Sequence, residues 1–65
     1  MKNRVRELRK NRKWTQEQFG DRLEVSRQTI NSIENGRYDP SLTLALKIAN
    51  LLDDSVEHIF LLSDA

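Results

Sequence analysis

Cysteine is absent from this 65-residue sequence. Neither a disulfide nor a thiolate metal site can staple the fold, and the lack fits a reducing compartment. No apolar run approaches the roughly 20 residues that a membrane-spanning helix needs. The charged start, Met1-Lys2-Asn3-Arg4-Val5-Arg6, leads into no apolar stretch and does not read as a signal peptide. A soluble, cytoplasmic chain is expected. Histidine occurs once, as His58, and a lone imidazole without a nucleophile reads as a surface group or a cap rather than a base. With no catalytic constellation in sight, the chain is not expected to be an enzyme. Asp53, Asp54 and Asp64 could invite a divalent cation. Carboxylates at helix ends are ordinary caps, however, and no metal or cofactor is expected. Glycine and proline are scarce, and Gly20, Gly36 and Pro40 are the only punctuators. No repeat or low-complexity segment is present.

What remains is a short chain with helical periods almost throughout. At this length residues 1–65 make one domain at most, and a domain so small is marginal on its own. Its stability has to come from tight packing or from a second copy. The net charge of +1 hides an asymmetry. From Met1 to Tyr38 there are 10 Lys/Arg against 5 Asp/Glu, and from Asp39 to Ala65 there is 1 against 5. One half is basic and suits a polyanion; the other is acidic.

The periodicity predicts five short helices and no convincing strand, an all-α fold. The first covers about residues 3–12, with Val5 and Leu8 on one face. Trp14 follows as a core plug. Thr15 is a good N-cap, and Gln18 three residues on completes a capping box. The second helix, about residues 16–23, buries Phe19 and Leu23. Gly20 sits inside it at a cost of up to about 1 kcal/mol against Ala, which suggests a close crossing by the next helix. Ser26 caps a third helix over about residues 27–35, and Gly36 suits the position after its end. Residues 37–40 form a loop. Ser41 caps a fourth helix at about residues 42–52, with Leu42, Ala45, Ala49 and Leu52 facing the core and Leu44, Ile48 and Leu51 on a second stripe. Ser55 caps a last short helix, about residues 56–60, with Glu57 in its first turn favouring the helix dipole. Phe60-Leu61-Leu62 is too short to distinguish a helix end from a small strand.

The third helix carries the chemistry. Ile30, Ile33 and Thr29 fall on one side, with Glu34 beside them. Arg27, Gln28, Asn31, Ser32 and Asn35 share the other side, which holds one cation and no anion. An ordinary solvated helix face mixes Glu with Lys. Amides can bond bidentately to adenine N6/N7 and Arg to guanine O6/N7, and a helix bearing them fits the major groove of double-stranded DNA. Gln16, at the N-terminus of the second helix, is placed where free N–H groups and the positive dipole end suit a phosphate. Asn35, Arg37 and Tyr38 lie at or past the other end of helix three, where they can hold a second phosphate. Arg12 and Lys13 add charge nearby.

These residues resemble those of small Cro/C1-type (XRE family) helix-turn-helix regulators. The likeness runs through Thr15-Gln16-Glu17, Val25-Ser26-Arg27-Gln28-Thr29-Ile30, Ile33-Glu34-Asn35-Gly36, Tyr38-Asp39-Pro40-Ser41-Leu42 and Leu46-Lys47-Ile48-Ala49. It extends over essentially the whole chain. The resemblance implies a lambda-repressor-like five-helix bundle that regulates transcription, as a repressor, by binding a palindromic operator. By the same resemblance Arg27, Gln28, Asn31 and Ser32 match positions that reach bases or nearby phosphates, and Gln16, Asn35 and Arg37 match backbone contacts. Arg9 and Glu34 match a partly buried salt bridge between helices one and three. Two positions depart from the pattern: the family usually has Ala at Gly20 and Gly at Glu24. A positive φ at Glu24 would strain it by about 1 kcal/mol or more.

One recognition helix covers few base pairs, so a homodimer reading two half-sites is expected. Leu51, Ile59, Phe60, Leu61 and Leu62 offer apolar area for that contact at the acidic end, away from DNA. The rival reading is a protein-binding module, such as an antitoxin or adaptor, whose apolar tail engages a protein partner.

Overall fold

The computed structural model describes residues 1–62; Asp64 lies outside them. Five helices follow one another: α1 (Val5–Asn11), α2 (Gln16–Leu23), α3 (Arg27–Glu34), α4 (Leu42–Leu52) and α5 (Val56–Ile59). The fold is mostly helical, as the periodicity predicts. Two short strands were not expected as such: β1 (Lys2–Asn3) pairs antiparallel with β2 (Phe60–Leu61), Lys2 opposite Leu61 and Asn3 opposite Phe60.

That pairing explains the shifted helix ends. α1 starts at Val5 rather than near residue 3, because Asn3 is held in the sheet and its Oδ1 accepts from the Val5 N–H at 3.1 Å. The Arg4 N–H donates to the Ile59 carbonyl at 2.8 Å, carrying the ladder past the strand ends. α5 stops at Ile59 because Phe60 turns extended.

Three helices end with a residue in left-handed conformation that is not glycine: Lys13 and Glu24 at φ 61° and Asp53 at φ 56°. α3 ends on Gly36 at φ 73°. Each end carries the same paired bonds back into the last turn. At α2, Val25 N–H donates to Gly20 O (2.9 Å) and Glu24 N–H to Asp21 O (3.3 Å). At α3, Arg37 N–H donates to Ser32 O (2.9 Å) and Gly36 N–H to Ile33 O (3.0 Å). Ser and Thr caps open the other ends: Thr15, Ser26, Ser41 and Ser55 each accept from a backbone N–H in the first turn of α2 to α5.

The core gathers Val5, Phe19, Leu23, Ile30, Ile33, Ala45, Ile48, Ala49, Leu52, Ile59 and Phe60. Three expectations are corrected here. Leu42 is 73% exposed, because at the first residue of α4 it overhangs the core. Ile48, expected on the second stripe, is fully buried, since the inward arc of α4 is Ala45, Ile48, Ala49 and Leu52. Ile59 and Phe60, expected at a dimer contact, are buried inside their own chain. The β1–β2 pairing holds them in the core, so they have almost no surface to offer a second copy. Leu51 is half-buried, while Leu61 and Leu62 are exposed. Trp14 is a partial plug: it packs on the core with its ring 5.9 Å from that of Phe19. The Arg22 guanidinium covers its face at 4.7 Å.

Candidate nucleic-acid interface

The turn between α2 and α3 presents the helix. Thr15 and Gln18 form the reciprocal capping box at the start of α2. Gly20 then allows the chain to double back: a Cβ there would sit 2.7 Å from the Val25 carbonyl oxygen. Ser26 Oγ accepts from the Thr29 N–H at 3.0 Å and bonds the Thr29 hydroxyl at 3.0 Å. Thr29 therefore props the cap instead of facing outward.

α3 buries Ile30 and Ile33 and leaves Arg27, Gln28 and Asn31 exposed, with Ser32 half-buried. These four outward residues and Gln16 line one shallow depression of about 410 Å3. Tyr38 joins Gln28, Thr29 and Ser32 around an adjoining one. Arg27 and Gln28 also border Glu17 and Asp21, so one flank is acidic. Asn35 caps the end of α3 rather than extending it, and borders a different concavity with Met1, Asn3 and Gly36. Arg37 is exposed beyond that end, its backbone N–H committed to Ser32.

Behind the depression lies a buried ionic cluster. The Glu34 side chain is 0% exposed. Arg9 Nε and Nη2 donate to its two oxygens at 2.6 and 3.2 Å, and Arg9 Nη1 donates to the Trp14 carbonyl at 2.8 Å. Gln16 Nε2 donates to Glu34 at 3.1 Å and Arg6 Nε at 3.4 Å. Burial pushes the Glu34 carboxyl up. The hydrogen bonds from Arg9 and Gln16, the Arg9 charge and the Arg6 bond together outweigh it, so the group is held below the ordinary carboxylate value. One carboxylate thus ties α1, the N-terminus of α2 and the end of α3 together. Sequence reading missed Arg6. Its spacing from Arg9 puts both on one side of α1, but nothing in the string shows that Glu34 accepts from both.

His58 is exposed and pairs with Asp54 at 3.1 Å. Asp54 also accepts from the Ser55 N–H at 2.8 Å, the capping expected of it. Backbone hydrogen bonding from Ser55, ahead of the His58 contact, holds the Asp54 carboxyl low. No helix among the described residues is long and apolar enough to cross a membrane.

A capped helix, a tight left-handed turn and a second helix with a polar, carboxylate-free outer face define a helix-turn-helix protein. The Helix-turn-helix family model matches residues 5–63, and the chain belongs to that family. It is 48% identical over 64 residues to an uncharacterized HTH-type transcriptional regulator of Methanocaldococcus jannaschii, covering 98% of this chain and 97% of that protein. It is 38% identical to the competence pilus inhibition repressor of Acinetobacter baylyi, over 92% of this chain and 54% of that longer protein. Among solved structures it matches the restriction-modification controller protein C.AhdI of Aeromonas hydrophila with TM-score 0.78 and 32% identity, covering 88% of this chain and 86% of that one. The first of these relatives is named as a transcriptional regulator and the second as a repressor.

Proposed function

We propose that the chain is a sequence-specific reader of double-stranded DNA that represses transcription from a palindromic operator in the cytoplasm, needing no cofactor. The observation that carries this reading is the single depression shared by Arg27, Gln28, Asn31, Ser32 and Gln16. It combines base-reading chemistry with a helix N-terminus suited to phosphate, on an outer face of α3 that itself carries no carboxylate, with Glu17 and Asp21 on one flank. Arg27, Gln28, Asn31 and Ser32 reach bases from α3 in the major groove. Gln16, Asn35, Arg37 and Tyr38 hold the backbone on either side. The relative named as a repressor supports the sign of regulation.

One α3 reads one half-site. Two half-sites about 34 Å apart require two copies, since each chain carries one such helix, α3. Leu61 and Leu62, with half-buried Leu51, supply apolar surface for a homodimer. The test is selection from a randomised duplex library at moderate salt, followed by footprinting. Enrichment of an inverted repeat supports the reading. Failure to enrich any duplex sequence overturns it, and co-purification with an obligatory protein partner would favour the binding-module reading instead.

A further inference from the structure

Resting on that reading, one chain of hydrogen bonds beside the depression sets the direction of a base-reading amide. Arg6 Nη2 donates to Asn35 Oδ1 at 2.8 Å. Asn35 Nδ2 donates to Asn31 Oδ1 at 3.1 Å. A guanidinium has five donors and no acceptor. The Asn35 atom facing Arg6 is therefore its oxygen, and the atom it turns toward Asn31 is its nitrogen. A nitrogen that donates needs an oxygen opposite it, so Asn31 turns its own oxygen toward the C-terminal end of α3. The amide orientation usually ambiguous for Asn is here forced from one end by a group that can only donate. Arg6 is itself held by Glu34 at 3.4 Å, so the chain is anchored in the buried cluster.

We propose that Arg6 is a positioning residue for DNA recognition: acting through Asn35, it makes Asn31 a hydrogen-bond donor toward the groove. Adenine needs a donor and an acceptor side by side from one amide, N7 receiving and N6 giving. Asn35 takes one of the two lone pairs of the Asn31 oxygen and holds that oxygen toward the end of α3, so the amide leads toward the groove with its two N–H groups. It reads edges that only accept, guanine O6/N7 or thymine O4, and disfavours bases that present an N–H donor, adenine N6 or cytosine N4. Among the described residues none tethers Gln28 in this way, and it keeps both choices.

The test is selection on randomised duplexes with the full chain and five variants, the contacted position being the one whose preference Asn31→Ala abolishes. The wild type prefers guanine or thymine there by about tenfold. Arg6→Lys also can only donate and keeps that preference. Arg6→Gln can donate or accept, so the relay loses its direction and the preference falls to within about threefold of none. Lys10→Gln removes the same charge from α1 outside the relay; it lowers affinity for all sequences alike and leaves the preference intact. Asn35→Asp is the decisive variant. Its carboxylate keeps the Arg6 contact but can only accept, so Asn31 must turn its nitrogen inward and its oxygen out. Overall affinity drops, and the preference at that one position inverts to adenine or cytosine. A thermal melt on each variant excludes misfolding as the cause. The proposal is overturned if the wild type selects adenine at the Asn31 position, if Arg6→Gln matches Lys10→Gln, or if Asn35→Asp leaves the preferred base unchanged. If the wild type selects no sequence at all, DNA reading itself fails, which is a separate outcome.

Discussion

Replacing Arg9 by Met should strongly reduce the stability of this chain. The guanidinium meets both oxygens of Glu34, at 2.6 and 3.2 Å, and the Trp14 carbonyl at 2.8 Å. Breaking one side of a buried pair costs about 3–5 kcal/mol, mostly because the other charge is stranded. Arg6 and Gln16 still reach Glu34, which puts the expected loss near the lower end, about 3 kcal/mol. A domain of this size has about 3–10 kcal/mol in total, so about 30% of it or more disappears, and the melting temperature falls by about 12–24 °C. Urea and thermal unfolding followed by circular dichroism measure this directly. Arg9→Met combined with Glu34→Leu should recover most of the loss, giving a coupling energy of about 2 kcal/mol or more. The pH dependence gives an independent check. In the wild type Glu34 is held below its ordinary value. Its contribution is therefore complete above the unfolded-state value of about 4.3 and is lost as pH falls through the lower folded value. In Arg9→Met the Arg9 bond and charge are lost and burial is opposed by Gln16 and Arg6 alone, so the folded value should rise toward or above the unfolded one. That variant is then penalised while Glu34 is ionised and relieved as it protonates. The two stability curves should converge on acidification. Parallel curves, or a double variant as unstable as Arg9→Met alone, would refute the account of a stranded charge.

Three further outcomes follow from the same geometry. Glu24→Gly should raise stability by about 1 kcal/mol, because φ 61° is strained for a residue with a Cβ; a lower melting temperature would count against the left-handed cap. Gln28→Ala should flatten sequence preference with little change in non-specific binding. Arg37→Ala should weaken every duplex alike and reduce the slope of log K against log salt by about one; gel-shift titrations over a salt series separate the two. Leu62→Lys, at a position 85% exposed, should yield a folded monomer by sedimentation at micromolar concentration, and an unchanged dimer would place the contact elsewhere.

Much of the outward polar face of α3 was legible because it depends on local rules. Caps at Thr15, Ser26, Ser41 and Ser55 are short-range backbone chemistry, and the alternation of Ile30 and Ile33 with Arg27, Gln28 and Asn31 is helix geometry. Boundaries failed where distant segments intervene. α1 and α5 are both trimmed by strand pairing between the two ends of the described chain, and no local period announces a two-residue strand. Ile59 and Phe60 look like spare apolar surface in the sequence for the same reason. Leu42 and Ile48 exchanged roles because a helical stripe gives relative angles, not the place where the core stops.

Helix identity and the outward set on α3 are thus properties of the amino-acid string, since each follows from contacts a few residues apart, whereas the strained position at Glu24 was implied by the family resemblance. The tertiary structure alone decided that Glu34 gathers Arg6, Arg9 and Gln16, that Asn35 passes a hydrogen-bond direction from Arg6 to Asn31, and that the C-terminal apolar residues divide between core and surface. Those outcomes depend on which groups from separate helices and strands come within bonding distance, and only the packed chain brings them there.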